Sequence, residues 1–303
     1  MKKICVIGSL NIDLTVTLPR FNEPGETIFA NDFKTYTGGK GGNQAVAAAK
    51  LGGKPCMAGA LGADGNAEIY RKLMKELQIT DLAATVEGVP SGVALIEVDA
   101  KGENRIAVVS GANMKVDRAY IDSIWEQIVS YDVFLFQLEI PMDTVIYAAK
   151  KLHEAGKTVI LDPAPAAPLP EELLPAVDFL TPNETELAIL TGCKTETEAD
   201  IEAAAKTLIA RGVKKVIAKM GARGAMVVSD SEVLMVPGFK VTAVDTTAAG
   251  DSFNAGLGVA IANGLSETEA IRFANAVGAL STTAVGAQGA MPTYQQTLEL
   301  INQ

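Results

Sequence analysis

Val133-Phe134-Leu135-Phe136-Gln137-Leu138-Glu139, then the segment 144–154, Gly156, and Thr158-Val159-Ile160-Leu161-Asp162 decide the fold class. Val133–Leu138 is a nearly continuous apolar run, the pattern of a strand buried on both faces of a parallel sheet. Thr144–Glu154 carries helical spacing and stops at Gly156. Thr158–Leu161 is a second short apolar run. Strand, helix and strand in this order predict a parallel crossover unit.

Working outward, the same alternation recurs. Ile4–Ile7, Val177–Leu180 and Val216–Met220 read as strands. Asn43–Leu51, Ala67–Leu77, Tyr120–Val129 and Glu196–Arg211 read as helices, with Gly212 placed as the residue after a helix end. Two last helices are expected at about Gly250–Asn263 and Glu267–Thr283. The fold class is α/β: a doubly wound, mainly parallel sheet with helices on both faces. Two stretches break the rule. Leu14–Tyr36 and Ser91–Val109 are β-rich without intervening helices, and predict antiparallel excursions that form one small sheet. Such a sheet is either an extra edge hairpin or a mobile cover over a site.

The 303 residues allow one large or two small domains, and a chain of this size needs no disulfide or structural metal. Hydrophobic residues make up 48% and charged residues 20%, which excludes a disordered chain. The net charge of −10 argues against nucleic acid or an anionic membrane surface as partner. It leaves a small anion possible, because backbone N–H groups bind phosphate without net positive charge. Cys5, Cys56 and Cys193 are widely spaced and odd in number. They read as buried thiols of a reducing, cytoplasmic compartment. The start of the chain lacks the apolar run of a signal peptide, and no run reaches the ~18 residues of a membrane span.

In open α/β sheets ligands bind beyond the carboxyl ends of the strands. Asn11 and Asp13, Glu139, Asp162, Asn183 and Gly221 all fall just past predicted strand ends. The strongest local motif is Asp245-Thr246-Thr247-Ala248-Ala249-Gly250-Asp251, which runs directly into a helical pattern. Small residues at a helix start leave N–H groups free for an anion. A carboxylate there suits a general base acting on a hydroxyl that attacks a phosphoryl group; the plain alternative is a helix cap. Thr37-Gly38-Gly39-Lys40-Gly41-Gly42-Asn43 also precedes a helix, and its glycines admit a ligand close to the backbone. It is neither a Walker A loop nor a dinucleotide fingerprint. The alternative is a flexible turn with Asn43 as cap. In Pro182-Asn183-Glu184-Thr185-Glu186, Asn183 and Glu186 share a helix face and suit a phosphate and a hydrated Mg²⁺, or an ordinary capping box.

Other chemistries lack their residues. His153 is the one histidine and lies mid-helix, so no Ser-His-Asp triad is available, and Gly250-x-Ser252-x-Asn254 lacks the final glycine of a nucleophile elbow. No histidine or cysteine pair has metal-ligand spacing.

Taken together, these segments resemble the ribokinase/PfkB family of carbohydrate kinases over nearly the whole chain. The resemblance rests on Asn11-Ile12-Asp13, Gly38-Gly39-Lys40-Gly41-Gly42-Asn43-Gln44-Ala45-Val46-Ala47, Gln137-Leu138-Glu139, Thr181-Pro182-Asn183-Glu184-Thr185-Glu186, Gly221-Ala222-Arg223-Gly224, and the segment 245–251. It implies a single α/β domain over 1–303 with a β lid at about 14–36 and 91–109. In the family the lid closes over the sugar and can pair with a second lid, so a homodimer is implied. The implied reaction is ATP-dependent phosphorylation of a sugar's primary hydroxyl, with D-ribose at its 5-hydroxyl as the expected substrate.

Carried over by position, the resemblance gives each motif a role. Asp251 becomes the general base, and the N–H groups of Ala248, Ala249 and Gly250 the anion hole. Asn11, Asp13, Gly39, Lys40, Asn43 and Glu139, with Asp251, match sugar-binding positions. Asn183, Lys219, Gly221, Arg223, Gly224, Gly250 and Asn275 match nucleotide-binding positions. Glu186 matches the residue that helps hold Mg²⁺ through water. Asp245, Thr247, Ser281, Ala284, Gly286 and Ala290 match the positions around a monovalent cation, usually K⁺. Ala290 departs from the serine of many relatives, and Gly42 from a common alanine. Fructose, 2-deoxyribose or adenosine remain alternative substrates. A non-catalytic sugar-binding regulator is the alternative from another class, disfavoured because Asp251 and Gly250 are both present.

Overall fold

The unit expected at 133–162 forms as Val133–Phe136, Met142–Glu154 and Thr158–Leu161, with its two strands paired in parallel. The computed structural model describes residues 2–303. The apolar run is continuous because both faces are covered. Cys5, Ile7, Phe134, Phe136, Val159 and Leu161 point into one core, and Ile4, Val6, Val133, Leu135 and Ile160 into the other.

The central sheet has nine strands in the order Val233–Pro237, Gly224–Val228, Lys215–Lys219, Phe179–Leu180, Thr158–Leu161, Val133–Phe136, Ile4–Ile7, Cys56–Ala58, Thr80–Asp81. All pairs are parallel except those made by Gly224–Val228, which runs antiparallel to both neighbours. That edge hairpin is not among the sequence expectations. Only a single 3-10 turn, Gly221–Arg223, separates it from the strand before it, so the alternation that reveals the rest is silent there.

The small sheet forms from both β-rich stretches, as expected, and is slightly longer. Its order is Asp32–Gly38, Asn11–Thr17, Gly92–Val98, Asn104–Val109. One expectation needs correction: the central pair, Asn11–Thr17 with Gly92–Val98, is parallel. The chain returns to this sheet only after passing through the main body, so the second visit enters from the same end.

Several boundaries move for local reasons. The helix expected from Asn43 spans Lys40–Lys50 with Gly39 at its N-cap, so Asn43 is not a cap. The helix expected from Glu196 starts at Glu198, because Thr197 and Asp200 form a capping box. Tyr120–Val129 breaks at Ile124 into Arg118–Ser123 and Trp125–Ile128. Gly212 takes a positive φ of 109° just past its helix, as placed. Cys5 and Cys56 are buried neighbours on adjacent parallel strands, whereas Cys193 is only half-buried; all three are free thiols. Among the described residues no helix is long and apolar enough to cross a membrane.

Candidate active site

Two helices begin at the same place. Lys40–Lys50 and Ala249–Ala262 pack against each other and both start without a side-chain cap. The orphan N–H groups of both N-termini are therefore left for a ligand or a fixed acceptor. Ala248, at the N-cap of the second helix, is left-handed with φ 59°, a conformation that costs about 1–2 kcal/mol for a residue with a Cβ. Asp251 is the third residue of that helix, so its carboxylate does not cap it.

The three N–H groups expected to form an anion hole are not equivalent. That of Ala249 donates to the Thr246 carbonyl at 3.2 Å. Among the described residues no acceptor meets those of Ala248 and Gly250. Lys219 lies beside them: a Cβ added at Gly250 would sit 3.2 Å from its Nζ.

Asp251 is buried and accepts from Asn43 Nδ2 at 3.0 Å and from Gln44 Nε2 at 3.2 Å. Burial pushes its carboxyl up to about 6, against the pull of Lys40 and with the push of Asp162. Lys40 shows the opposite balance. Burial works against its charge, but the carboxylates of Asp251, Asp162, Glu139 and Glu186 outweigh it and hold the ammonium above the ordinary lysine range. Gln44 Nε2 also reaches Asp162 at 3.4 Å, and Asp162 pairs with Lys219 at 2.9 Å. Gln137 Nε2 donates to Gln44 Oε1 at 2.7 Å. The sequence reading places Asp162 at a strand end without a role and gives none to Gln44 or Gln137. Their function is visible only as a network.

On one side of Asp251 opens a cavity of about 930 Å³. It gathers Lys40, Asn183, Glu186, Lys219, Gly221, Gly224, Ala248, Ala249, Gly250 and Asn275 from the expected set. Arg223 is not brought in; it pairs with Glu184 at the rim. Phe239, Lys240 and Val241 line the cavity and carry no sequence signal, since they lie in an irregular loop. Asn275 donates to the carbonyls of Val236 and Pro237, at 3.0 and 3.2 Å, and so ties the edge hairpin to the cavity wall. Asn183 and Glu186 do form the capping box that was the plain alternative. Glu186 nonetheless faces the cavity, half-buried, and its carboxyl is raised by burial despite Lys219.

On the other side lie the polar residues at the base of the small sheet. Asn11 accepts from Asn113 Nδ2 at 2.7 Å. Asp13 packs over Gly38, and burial together with the nearby Glu139 raises its carboxyl to about 6. Glu139 Oε2 accepts from Ser9 Oγ and from the Lys40 N–H at 3.0 Å. Gly39 must be glycine: its φ is 80°, and a Cβ would lie 2.8 Å from the Asn11 nitrogen.

The positions expected around a monovalent cation are partly assembled. Asp245 accepts from the N–H groups of Thr247 at 2.9 Å and Gly286 at 2.8 Å, and these bonds hold its carboxyl below the usual range despite burial. Ser281 Oγ donates to the Gly278 carbonyl at 2.8 Å. Ala284 is exposed, and Ala290 ends the short helix Ala287–Ala290.

Gly42 has a reason here. A Cβ at this position would sit 1.8 Å from Tyr70 Oη, which donates to the Gly38 carbonyl at 2.6 Å. Gly42→Ala is expected to destabilise the protein by about 1–2 kcal/mol, read by urea unfolding. In a Tyr70→Phe background the hydroxyl contact is gone and the ring carbon at 2.8 Å is the tightest neighbour left, so the same change should cost clearly less. Equal costs in both backgrounds would refute this packing.

Comparison with known proteins agrees with this geometry. Residues 1–294 match the pfkB family of carbohydrate kinases. The chain is 43% identical over 304 residues to a ribokinase of Bacillus subtilis, covering 100% of both chains. It is 37% identical over 304 residues to a deoxyribokinase of Salmonella typhi, covering 99% of this chain and 98% of that one. The structure of Arabidopsis thaliana ribokinase complexed with ribose and ATP superposes with a TM-score of 0.95 at 36% identity, covering 100% of this chain and 99% of that one. With a buried carboxylate at an uncapped helix start, flanked by the cavity and the polar cleft, this chain belongs to the pfkB family of carbohydrate kinases.

Proposed function

We propose that this chain is an ATP-dependent ribokinase that transfers the γ-phosphoryl group of ATP to the 5-hydroxyl of D-ribose. The observation that carries the reading is Asp251. It is buried between the cavity and the polar cleft, beside the acceptor-free N–H of Gly250. ATP occupies the cavity, with its phosphates toward the start of the helix Ala249–Ala262. The sugar lies across Asn11, Asp13, Gly39, Lys40, Asn43 and Glu139. Asp251 takes the proton of the attacking hydroxyl. The N–H groups of Ala248 and Gly250, with Lys219, stabilise charge on the transferred group.

Glu186 suits Mg²⁺ held through water: it is a half-buried carboxylate facing the cavity. When bound there, Mg²⁺ neutralises charge on the phosphate oxygens. Around Asp245 the donor set is oxygen, with the carboxylate kept ionised, which fits K⁺ held by Asp245, Thr247, Ser281, Ala284 and Gly286. Ala290 offers only its carbonyl.

The small sheet acts as a lid. Its exposed Phe33, Leu95, Ile106, Val108 and Val109 suit pairing with a second copy's lid into a homodimer. The free cysteines suit a cytoplasmic setting.

The similarity to a deoxyribokinase makes sugar choice the deciding test. ADP release is measured with ribose, 2-deoxyribose, fructose and adenosine, in K⁺ and in tetramethylammonium at equal ionic strength. Ribose should exceed every competitor in kcat/KM at least about tenfold, because the polar cleft leaves buried acceptors unpaired with a deoxy analogue. K⁺ should activate. Deoxyribose or adenosine outperforming ribose overturns the substrate. Equal rates in the two cations remove the cation site.

A further inference from the structure

Asn43 donates to Asp251, and what fixes Asn43 lies far away in sequence. A side-chain amide has one donor end and one acceptor end. Because the Asp251 carboxylate accepts, the Nδ2 of Asn43 must face it, at 3.0 Å, and Oδ1 must face away. That oxygen needs a donor, and Gln288 Nε2 supplies one at 3.1 Å. Gln288 is then oriented in turn: its Oε1 must accept, and it does so from Thr37 Oγ1 at 2.6 Å. Its Nε2 also reaches Tyr70 Oη at 3.3 Å, and Tyr70 donates to the Gly38 carbonyl. The result is a one-directional chain of donors from the small sheet to the carboxylate: Thr37, Gln288, Asn43, Asp251.

The backbone around Gln288 is built to hold this position. Lys50, in the last turn of the helix that carries Asn43, donates to the carbonyls of Gln288 at 2.6 Å, Met291 at 3.3 Å and Gly289 at 3.4 Å. One end of the helix Lys40–Lys50 therefore grips the 288–291 segment while the other presents Asn43 to its side chain. Gln288 also joins the segment between Gly286 and Ala290 to the cleft.

We propose that Gln288 is a positioning residue for phosphoryl transfer: its amide locks Asn43 in the one orientation that donates to Asp251, and ties that orientation to Thr37 at the base of the small sheet. The assignment rests on the reading of Asp251 as the base. The charged and titratable groups facing Asp251 are Lys40 and Asp162, with Glu139 and Glu186 around the same ammonium, Lys219 on Asp162, and the Tyr70 hydroxyl. The Asn43 bond is one of the interactions that favour the charged form of Asp251. Without Gln288, the Asn43 oxygen loses its donor and the amide is free to rotate off the carboxylate.

The test compares Gln288→Met, Gln288→Glu, Thr37→Val and Asp251→Asn with the unaltered protein. kcat and KM for ribose and for ATP are measured across the acid limb of the pH profile in saturating K⁺. Gln288→Met should lower kcat/KM for ribose by up to about tenfold, the upper end for one neutral hydrogen bond, and move the acid limb to higher pH. Gln288→Glu should move it further, because a carboxylate accepts only and draws the Asn43 donor away from Asp251. Thr37→Val should shift it in the same direction by less. KM for ATP should stay within about twofold. If Gln288→Met does not fold, the Glu and Val variants carry the same readout. An acid limb unmoved in the folded Gln288 variants, with Asp251→Asn inactive, overturns the positioning role alone. Asp251→Asn retaining activity overturns the base itself.

Discussion

Asp251→Asn should lose about 10²–10⁴-fold in kcat, the usual cost of removing a general base, while ribose binding measured by calorimetry changes little. The amide keeps the size of the carboxyl, so the cleft stays filled, and its oxygen can still accept from one of Asn43 and Gln44. It cannot take a proton. The same residue sets the pH dependence. Its carboxyl is pushed up to about 6, chiefly by burial. The base works only when ionised, so log kcat/KM should fall as pH drops through about 6, and be flat just above it. A variant retaining more than a tenth of the wild-type kcat would show that the proton goes elsewhere. An acid limb that survives in Asp251→Asn would assign that limb to another group, with Asp13 the first candidate, since burial and Glu139 raise it to a similar value.

The largest effect on stability is expected at Lys219. Its side chain is 12% exposed and that of its partner Asp162 only 2%, with 2.9 Å between the charges. Lys219→Met leaves the Asp162 carboxylate buried without its cation. Breaking a buried pair from one side costs about 3–5 kcal/mol, more than the net worth of the pair, because the orphan carboxylate, 2% exposed, keeps little hydration and only the Gln44 amide at 3.4 Å. Urea unfolding of the ligand-free protein should show this as a shift in midpoint at unchanged slope. Lys219→Met combined with Asp162→Asn should recover much of the loss, since an amide needs no counterion. A single variant that costs less than about 1 kcal/mol would mean that Asp162 finds another partner or water. The double variant separates stability from catalysis: it should fold and still turn over slowly, because Lys219 also stands beside Gly250.

Gly42 illustrates how sequence and structure divide the work. In the sequence it is a small departure inside a glycine-rich motif. In the structure it is the space for the hydroxyl of Tyr70, which supports both Gly38 and Gln288. Asn183 and Glu186 show the reverse. Their spacing allows a capping box or a ligand site, and the fold uses Glu186 for both the box and the cavity wall.

What the sequence determines by itself is whatever repeats along the chain or lies within a few residues. The parallel sheet is legible because strands buried on both faces must be apolar at every position, as Ile4–Ile7 and Val133–Phe136 are. The helix at 249–262 and the place of Asp251 near its start are legible because small residues cluster at its N-terminus. The edge hairpin at 224–237 escapes, since its antiparallel strands follow the strand before them with no α-helix between. The parallel pairing inside the small sheet escapes as well, because it joins strands separated by the segment 18–91. The polar network belongs to the tertiary structure alone. Gln44 to Asp162, Gln288 to Asn43 and Lys219 to Asp162 each span 57 or more positions of chain. Residues so far apart carry no mutual signal in spacing or periodicity. Their meeting is decided by where the packed helices and strands deliver them, and so is the pKa of the carboxylate that they surround.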